Sequence, residues 1–299
     1  MHSLWGLTEK DLLKLSRVRA ILITHMHGDH IHGLPGLIST VQLVQMHGPD
    51  FKIRLIAPLG MRDYLARVID FDIEQLDITE LEPEKEASGS LFEGVEWHAF
   101  PVVHSPEVHA YSYVISEPQK ERGLDAARAR ALGASGKQLG VLKSGHDVTL
   151  DDGRVVRCED CLLPAVPPRR LVFMGDNLRV NEEFIEPFTA CADGCSLLVD
   201  ECTFPEELLA KCDKHSCPSI VGALALRVHA KSLAVTHFSQ RITHDEAEAG
   251  GCTPERLVEQ LREYISAHCS DSGMTEDDVK NMPIAAAEDY LELTVPKQK

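Results

Sequence analysis

The sequence has few features of membrane or secreted proteins. No run of about 18 apolar residues occurs, so no membrane-spanning helix is expected. The N-terminus, MHSLWGLTEKDLLKLSR, has neither a long apolar core nor a small-residue cleavage site, and it does not resemble a secretory signal. The nine cysteines are an odd number and are scattered, which argues against a disulfide framework. A reducing, intracellular compartment is therefore expected.

Cysteine pairs suited to a structural zinc site are also scarce. Cys158/Cys161 and Cys191/Cys195 are closely spaced, but neither pair has a second, well-placed pair. Because structural zinc sites take four ligands, the sequence does not favour one here.

Positive charge is scarce as well, and the chain has a net charge of −17. A protein that binds nucleic acid over its whole surface is normally basic, so any RNA binding requires a local basic element. One candidate element lies between Gln119 and Lys143, where the net charge is +4. Its basic residues, which are candidates for contacts with RNA phosphates, are Lys120, Arg122, Arg128, Arg130, Lys137 and Lys143. A solvated charged loop is the alternative interpretation.

Strand-like and helix-like segments alternate along the chain, which predicts an α/β protein. Strands are predicted at 18–24, 52–58, 95–104, 110–117, 169–177, 196–204, 231–241 and 290–295, and helices at 60–71, 121–132 and 254–268. Several of the strands end in His, Asp or Glu. Ligands bind beyond the strand ends in open α/β sheets, so these polar endings are expected to converge on one site.

The strongest motif is HMHGDH, which follows the first predicted strand. His25, His27, Asp29 and His30 place four potential metal ligands within six residues. Imidazole and carboxylate groups suit Zn²⁺ and related ions. The spacing allows His25 and His27 to face one ion, and Asp29 and His30 to face a second. A surface histidine-rich loop is the alternative interpretation.

A site for two ions needs further ligands, and three candidates lie at the ends of other predicted strands. They are His104, Asp176 and His237. An aspartate between two ions can bridge them, typically about 3.5–4 Å apart. Taken singly, a histidine at a strand end is more often structural than a metal ligand, and GDN is a common turn; together with His25–His30, the three residues favour a metal site.

Several segments in order carry a resemblance to a known family. THMHGDHIHGLPGL, VVHSPEVHAYSYVI, LVFMGDN, LLVDECT, KHSC and LAVTHFSQR resemble the motifs of tRNase Z, a tRNA 3′-processing family of the metallo-β-lactamase superfamily. The matches extend from about residue 16 to residue 241. Several positions depart from the family pattern: Asp200 replaces a histidine, Cys217 replaces a threonine, Ile242 replaces a tyrosine, and the arm lacks the family's Gly-Pro. In the second segment His109 competes with His104 as the ligand, and the spacing to Ala110 and Tyr111 favours His104.

The resemblance implies a fold and a domain organisation. The expected fold is a metallo-β-lactamase-like αβ/βα four-layer sandwich in a single domain over residues 1–299, with a basic substrate arm inserted at about 118–145. The family's opening strands, with an Asp-x-Gly-x-x-x-Gln segment, have no counterpart in this sequence. The domain is therefore expected to be truncated at its N-terminus.

The resemblance also implies a reaction. It is cleavage of the 3′ trailer from precursor tRNA by a zinc-dependent endoribonuclease, through metal-hydroxide attack that leaves a 3′ hydroxyl. One zinc ion is expected on His25, His27, His104 and Asp176. The second ion is expected on Asp29, His30, Asp176 and His237. Manganese is the alternative metal.

Three residues are implied to act in catalysis. Asp29 would also orient the attacking hydroxide, while His215, supported by Glu201, would protonate the leaving oxygen. A homodimer is expected, in which one subunit's arm presents tRNA to the other subunit's site. Two alternatives remain open, namely another hydrolase or phosphodiesterase of the superfamily, and a non-catalytic remnant that binds metal or RNA.

Overall fold

The computed structural model describes Leu15 and residues 18–43, 52–69, 73–242 and 252–295. The chain divides into two compact units. One unit comprises the residues up to Ser116 together with those from Arg170 onward, and the other is built on Glu117–Arg169. The expected truncation at the N-terminus stays a prediction, and residues 1–14 lie outside the described part of the chain.

The described residues form short strands and helices in alternation. In chain order the strands are β1 (Ala20–Leu22), β2 (Ile53–Pro58), β3 (Leu76–Leu81), β4 (Ala87–Phe92), β5 (Val95–Val103), β6 (Ala110–Ser116), β7 (Val148–Thr149), β8 (Val155–Val156), β9 (Arg170–Phe173), β10 (Arg179–Val180), β11 (Leu197–Glu201), β12 (Leu233–Thr236) and β13 (Ile284–Ala286). The helices are α1 (Gly28–Ile31), α2 (Leu34–Leu43), α3 (Met61–Val68), α4 (Ala126–Ala131), α5 (Lys137–Lys143), α6 (Ile185–Ala192), α7 (Pro218–Arg227), α8 (Pro254–Ser272) and α9 (Glu276–Lys280).

Two sheets form the larger unit. The first is parallel, in the order β1-β2-β3. The second has the order β10-β5-β6-β9-β11-β12-β13, with β4 paired to β5. Within it, β9, β11, β12 and β13 run parallel to one another, whereas β4, β5, β6 and β10 pair antiparallel with their neighbours.

Three buried clusters show how helices and sheets are layered in this unit. Leu65 of α3 packs in the cluster that covers the first sheet. Ile56 of β2 and Tyr113 of β6 belong to a cluster between the two sheets. Leu198 of β11 and Leu261 of α8 lie in the largest cluster, between the second sheet and its helices. The order is helix, sheet, sheet, helix, and the predicted α/β sandwich is confirmed.

Local signals explain the long helix α8. The Thr253 hydroxyl accepts a hydrogen bond from the backbone N–H of Arg256 at 3.3 Å, and Pro254 occupies the first turn. The helix ends at Gly273, whose φ of +80° is readily adopted by glycine.

The predicted C-terminal strand at 290–295 is wrong. Those residues form no strand, and Ile284–Ala286 pairs with β12 instead. Tyr290 and Leu293 are exposed, so the large apolar side chains of YLELTV do not line a buried face. The predicted helix at 121–132 is shorter than expected, because Asp125 caps the helix through the backbone N–H of Arg128 at 2.9 Å.

The smaller unit contains α4, α5 and the β7–β8 hairpin around its own buried cluster. Ala129, Leu142 and Val156 lie in that cluster. At the base of the unit, Arg169 forms an ion pair with Glu117. No helix within the described ranges is long and apolar enough to cross a membrane.

Candidate metal centre

Strand direction brings the candidate site residues to one edge of the molecule's larger unit. His104, Asp176 and His237 follow β5, β9 and β12, and Glu201 ends β11. Strands β9, β11 and β12 are parallel, and β5 runs in the same direction because it and β9 are both antiparallel to β6. Their carboxyl ends therefore lie at the same edge of the second sheet, where ligands bind in α/β proteins.

Three histidines form the first group of converging donor atoms. His25 Nε2 lies 3.1 Å from His27 Nδ1, and His27 Nδ1 lies 3.2 Å from His104 Nε2. His25 and His104 are buried, whereas His27 is half-buried. The donor atoms of all three lie within 4.8 Å of one another, so one metal ion could be held among them.

A single oxygen of Asp176 joins this group to a second one. Asp176 Oδ2 lies 3.8 Å from His25 Nε2, 3.3 Å from His30 Nε2 and 3.1 Å from His237 Nε2. Asp29 Oδ2 lies 3.5 Å from His30 Nε2. Because the same carboxylate oxygen faces both groups, Asp176 has the position that a bridging ligand requires.

Polar partners contact the Nδ1 atoms of two of the histidine rings and so orient these rings. The Thr24 hydroxyl lies 3.1 Å from His25 Nδ1. His104 Nδ1 donates to the carbonyl oxygen of Lys214 at 3.0 Å. Such contacts fix the ring orientation and leave Nε2 of each ring facing the centre, as is usual for histidines that bind metal.

The protonation states at the centre suit a cation. Burial, with the neighbouring His30, lowers the pKa of His25 to about 3. Burial would raise the pKa of Asp176, but the hydrogen bond from His30 and the charges of nearby histidines lower it to about 2. At neutral pH His25 is therefore neutral and Asp176 ionised, which are the forms that bind metal.

A second feature of the site is the pair of the buried Glu201 and the half-buried His215. His215 Nδ1 donates to the Glu201 carboxylate at 2.9 and 3.0 Å. The Thr203 hydroxyl donates to the same carboxylate. Burial would raise the pKa of Glu201, but the hydrogen bonds from His215 and Thr203, with the nearby His237 ring, hold it below its usual value. Glu201 is therefore a buried carboxylate that can stabilise a positive charge on His215.

Two residues at the site have positive φ angles. Gly175, before Asp176, has a φ of +66°, and a Cβ there would lie 2.7 Å from Thr24 Cβ. His237 has a φ of +57° without being glycine. Such a conformation is strained for histidine and is found mainly where the surrounding structure enforces it, as at functional sites.

All seven residues singled out as metal ligands belong to overlapping groups of donor atoms. The groups also include Glu201 and His215. The competing candidate His109 lies in none of the groups found among the described residues. Its ring instead lies 3.4 Å from Glu84, and about half of its side chain is exposed. The pairs Cys158/Cys161 and Cys191/Cys195 likewise belong to no such group within the described ranges.

The basic candidates of the sequence lie in the smaller unit. Five of them are exposed, namely Lys120, Arg128, Arg130, Lys137 and Lys143. Arg122 is half-buried, and its guanidinium donates to Glu159 at 2.7 Å and to the Leu163 carbonyl at 2.8 Å.

Sequence reasoning missed two buried polar residues. Thr203 lies between Glu201 and His237, with its hydroxyl 2.9 Å from His237 Nδ1. The backbone N–H of Asn177 donates to Glu201 Oε1 at 2.6 Å. Both residues follow strands, as the predicted ligands do, and this position is the one sequence feature that could have identified them as site residues.

The sequence and the fold of this chain are similar to those of known proteins. Residues 6–131 match the beta-lactamase superfamily domain. Ribonuclease Z of Synechocystis sp. is 33% identical over 232 residues, which cover 77% of this chain and 69% of that protein. Ribonuclease Z of Brevibacillus brevis is 30% identical over 258 residues, covering 85% of this chain and 78% of that protein. Human tRNase Z, short form, shares the fold with a TM-score of 0.53 and 22% identity, over 77% of this chain and 76% of that one.

Proposed function

Because the chain belongs to the ribonuclease Z family of metallo-β-lactamase-fold hydrolases, we propose that it removes the 3′ trailer from precursor tRNA as a zinc-dependent endoribonuclease. The observation that carries the proposal is the convergence of histidines on Asp176 Oδ2 beside the Glu201–His215 pair. The product is a tRNA with a 3′ hydroxyl.

The donor set fits two divalent ions. His25, His27, His104 and Asp176 would hold one ion, and Asp29, His30, Asp176 and His237 the other. Imidazole nitrogens and carboxylate oxygens suit zinc, and manganese is the alternative. When bound, such ions polarise the phosphate and lower the pKa of a water molecule towards neutrality.

The chain's own residues supply the proton transfers. The Asp29 side chain is 70% exposed and lies beside His30, so it can accept a hydrogen bond from the attacking water. As the bond between phosphorus and the 3′ oxygen breaks, that oxygen takes a proton from His215. Glu201 stabilises the protonated ring before the transfer, since a poor alkoxide leaving group needs a general acid.

The exposed basic residues of the smaller unit are proposed to hold the tRNA. Contacts from Lys and Arg to phosphates position an RNA without reading its sequence. The acidic remainder of the chain makes this local positive charge the suitable docking element for RNA. We propose further that the protein acts as a homodimer, in which the arm of one subunit presents tRNA to the site of the other.

Cleavage of a 3′-extended precursor tRNA tests the proposed function. The purified protein with zinc is expected to cut once, directly after the discriminator base, and His27→Ala is expected to abolish the cut. Neutralising the five exposed arm residues to alanine is expected to abolish tRNA cleavage and to leave hydrolysis of bis(p-nitrophenyl) phosphate unchanged. Absence of cleavage by folded, metal-loaded protein would overturn the proposal. Loss of both activities in the arm variant would refute the role of the arm.

A further inference from the structure

Asn177 connects three segments at the candidate centre. It follows Asp176 in the turn after β9, and it is only 1% exposed. Its backbone N–H donates to Glu201 Oε1 at 2.6 Å. Its carbonyl oxygen accepts a hydrogen bond from the Ser216 hydroxyl at 2.8 Å. Asn177 therefore links the turn that carries Asp176 to the end of β11 and to the loop that carries His215.

The side chain of Asn177 is anchored separately. Its Nδ2 donates to Asp200 Oδ1 at 2.8 Å and to the carbonyl oxygen of Gly175 at 3.1 Å. Asp200 is 2% exposed, and its Oδ1 also accepts from the backbone N–H of Glu201 at 2.9 Å. The amide thus ties the turn to the same strand end from which Glu201 projects.

The carboxylate of Glu201 has three donors, and each limits its rotation. They are the backbone N–H of Asn177, His215 Nδ1 and the Thr203 hydroxyl. If the turn at Asn177 shifts, Glu201 loses the first of these donors and can rotate away from His215. The anchor on Asp200 prevents that shift, because a buried acceptor without its donor is costly.

We propose that Asn177, anchored by Asp200, is a positioning residue that keeps Glu201 aligned with His215 for proton donation to the leaving oxygen. The inference rests on the proposed function, because it concerns the same pair of residues. Asn177 acts through Glu201 and need not touch the substrate.

Kinetics of Asn177→Ala separate positioning from mere stability. The substitution keeps the backbone N–H and removes the anchor. We expect kcat to fall on the order of 10–100-fold with KM unchanged, because an alignment needed only in the transition state is lost. Gln260→Ala is the matched control, since Gln260 is a buried amide that donates to Glu207 and accepts from the backbone N–H of Glu206. It is expected to lower the melting temperature and to leave kcat unchanged.

The double variant tests the anchor itself. Asn177→Ala and Asp200→Ala are each expected to lower kcat, and the double variant is expected to have about the kcat of the more impaired single variant, because the hydrogen bond that the two side chains share is already lost in each. Effects on kcat that multiply in the double variant would overturn the role of Asp200 as the anchor.

A measurement that does not depend on catalysis distinguishes the positioning role of Asn177 from the proposed function. In metal-free, ¹⁵N-histidine-labelled protein, the ring proton that His215 donates to Glu201 should give a hydrogen-bonded N–H resonance. Asn177→Ala is expected to broaden or remove it. The ring proton that His229 donates to Asp193, across 2.6 Å, is the internal control and should persist.

The combined results decide each proposal separately. If the wild-type protein fails to cleave precursor tRNA but the His215 resonance still depends on Asn177, the proposed function fails and the positioning stands. If the wild-type protein cleaves, and Asn177→Ala changes neither kcat nor the resonance, the positioning inference is overturned.

Discussion

At the scale of single residues, Glu201 is the most heavily hydrogen-bonded carboxylate described at the site. It is 1% exposed and accepts from His215, Thr203 and the backbone of Asn177. These donors, together with the nearby His237 ring, hold the negative charge of this buried carboxylate beside His215. Removal of the Glu201 charge should therefore weaken the protonated form of His215 more than it weakens substrate binding.

Glu201→Gln is expected to lower kcat about 100-fold and to change KM little, because the general acid loses the charge that stabilises its protonated form. Steady-state kinetics on a 3′-extended precursor tRNA measure both constants. Glu186→Gln is the control, because Glu186 forms an exposed ion pair with Arg227 in the same unit. A higher KM with an unchanged kcat would assign Glu201 to substrate binding instead.

The seven predicted ligands could be singled out from sequence because each is a chemically distinctive residue after an apolar, strand-like run. Thr203 and Asn177 follow strands too, but their importance depends on which atom each presents across to Glu201. Threonine and asparagine are common in turns, so their types carried no information. The geometry between strands was needed to find them.

At the scale of elements, the turn after β9 determines where Asp176 lies. Gly175 has a φ of +66° and packs against Thr24, which itself contacts His25. The turn is thus fixed both by backbone conformation and by close contact with the segment after β1.

Gly175→Ala is expected to lower the free energy of unfolding by about 1–3 kcal/mol and to weaken zinc binding, because the strained backbone and the clash with Thr24 must both be relieved. Gly194→Ala is the matched control. Gly194 has a similar φ of +63°, but nothing lies within 4 Å of its added Cβ. Urea unfolding and a competitive zinc titration measure the two effects. Equal losses in both variants would show that the contact with Thr24 is unimportant.

Strands in the sheet interiors were more predictable than the chain's later segments. β2, β5 and β6 lie within the strands predicted at 52–58, 95–104 and 110–117. The error at 290–295 arose because a strand-like sequence is a local property, whereas pairing with β12 depends on which segment reaches that edge. Ile284–Ala286, which follows α9, occupies the edge instead.

At the scale of the whole molecule, the buried ionisable groups of the candidate centre make the stability of the fold depend on pH. His25 is fully buried, and its pKa is lowered to about 3 by burial and by His30. In the unfolded chain the same ring has an ordinary pKa of about 6.5. Below that pH the unfolded state binds a proton that the folded state does not, so stability falls as pH falls from about 6.5 towards 3.

The metal-free protein is therefore expected to lose about 2–3 kcal/mol of stability through His25 between pH 6.5 and pH 4.5. Urea unfolding in the presence of a chelator measures this loss. His25→Gln is the comparison, since it removes the titrating ring and should show a shallower dependence on pH. The same slope in both proteins would contradict the assignment to His25.

The donor atoms of the centre come from segments spread between residue 25 and residue 237. They follow strands of both sheets, so the full set meets only when the strands that carry these residues have assembled. The complete site for two ions consequently exists only in the native state. By thermodynamic linkage, an ion at a hundred times its dissociation constant would add about 2.7 kcal/mol to the unfolding free energy. Retention of both ions would then report that the strands of both sheets that carry the donors have assembled.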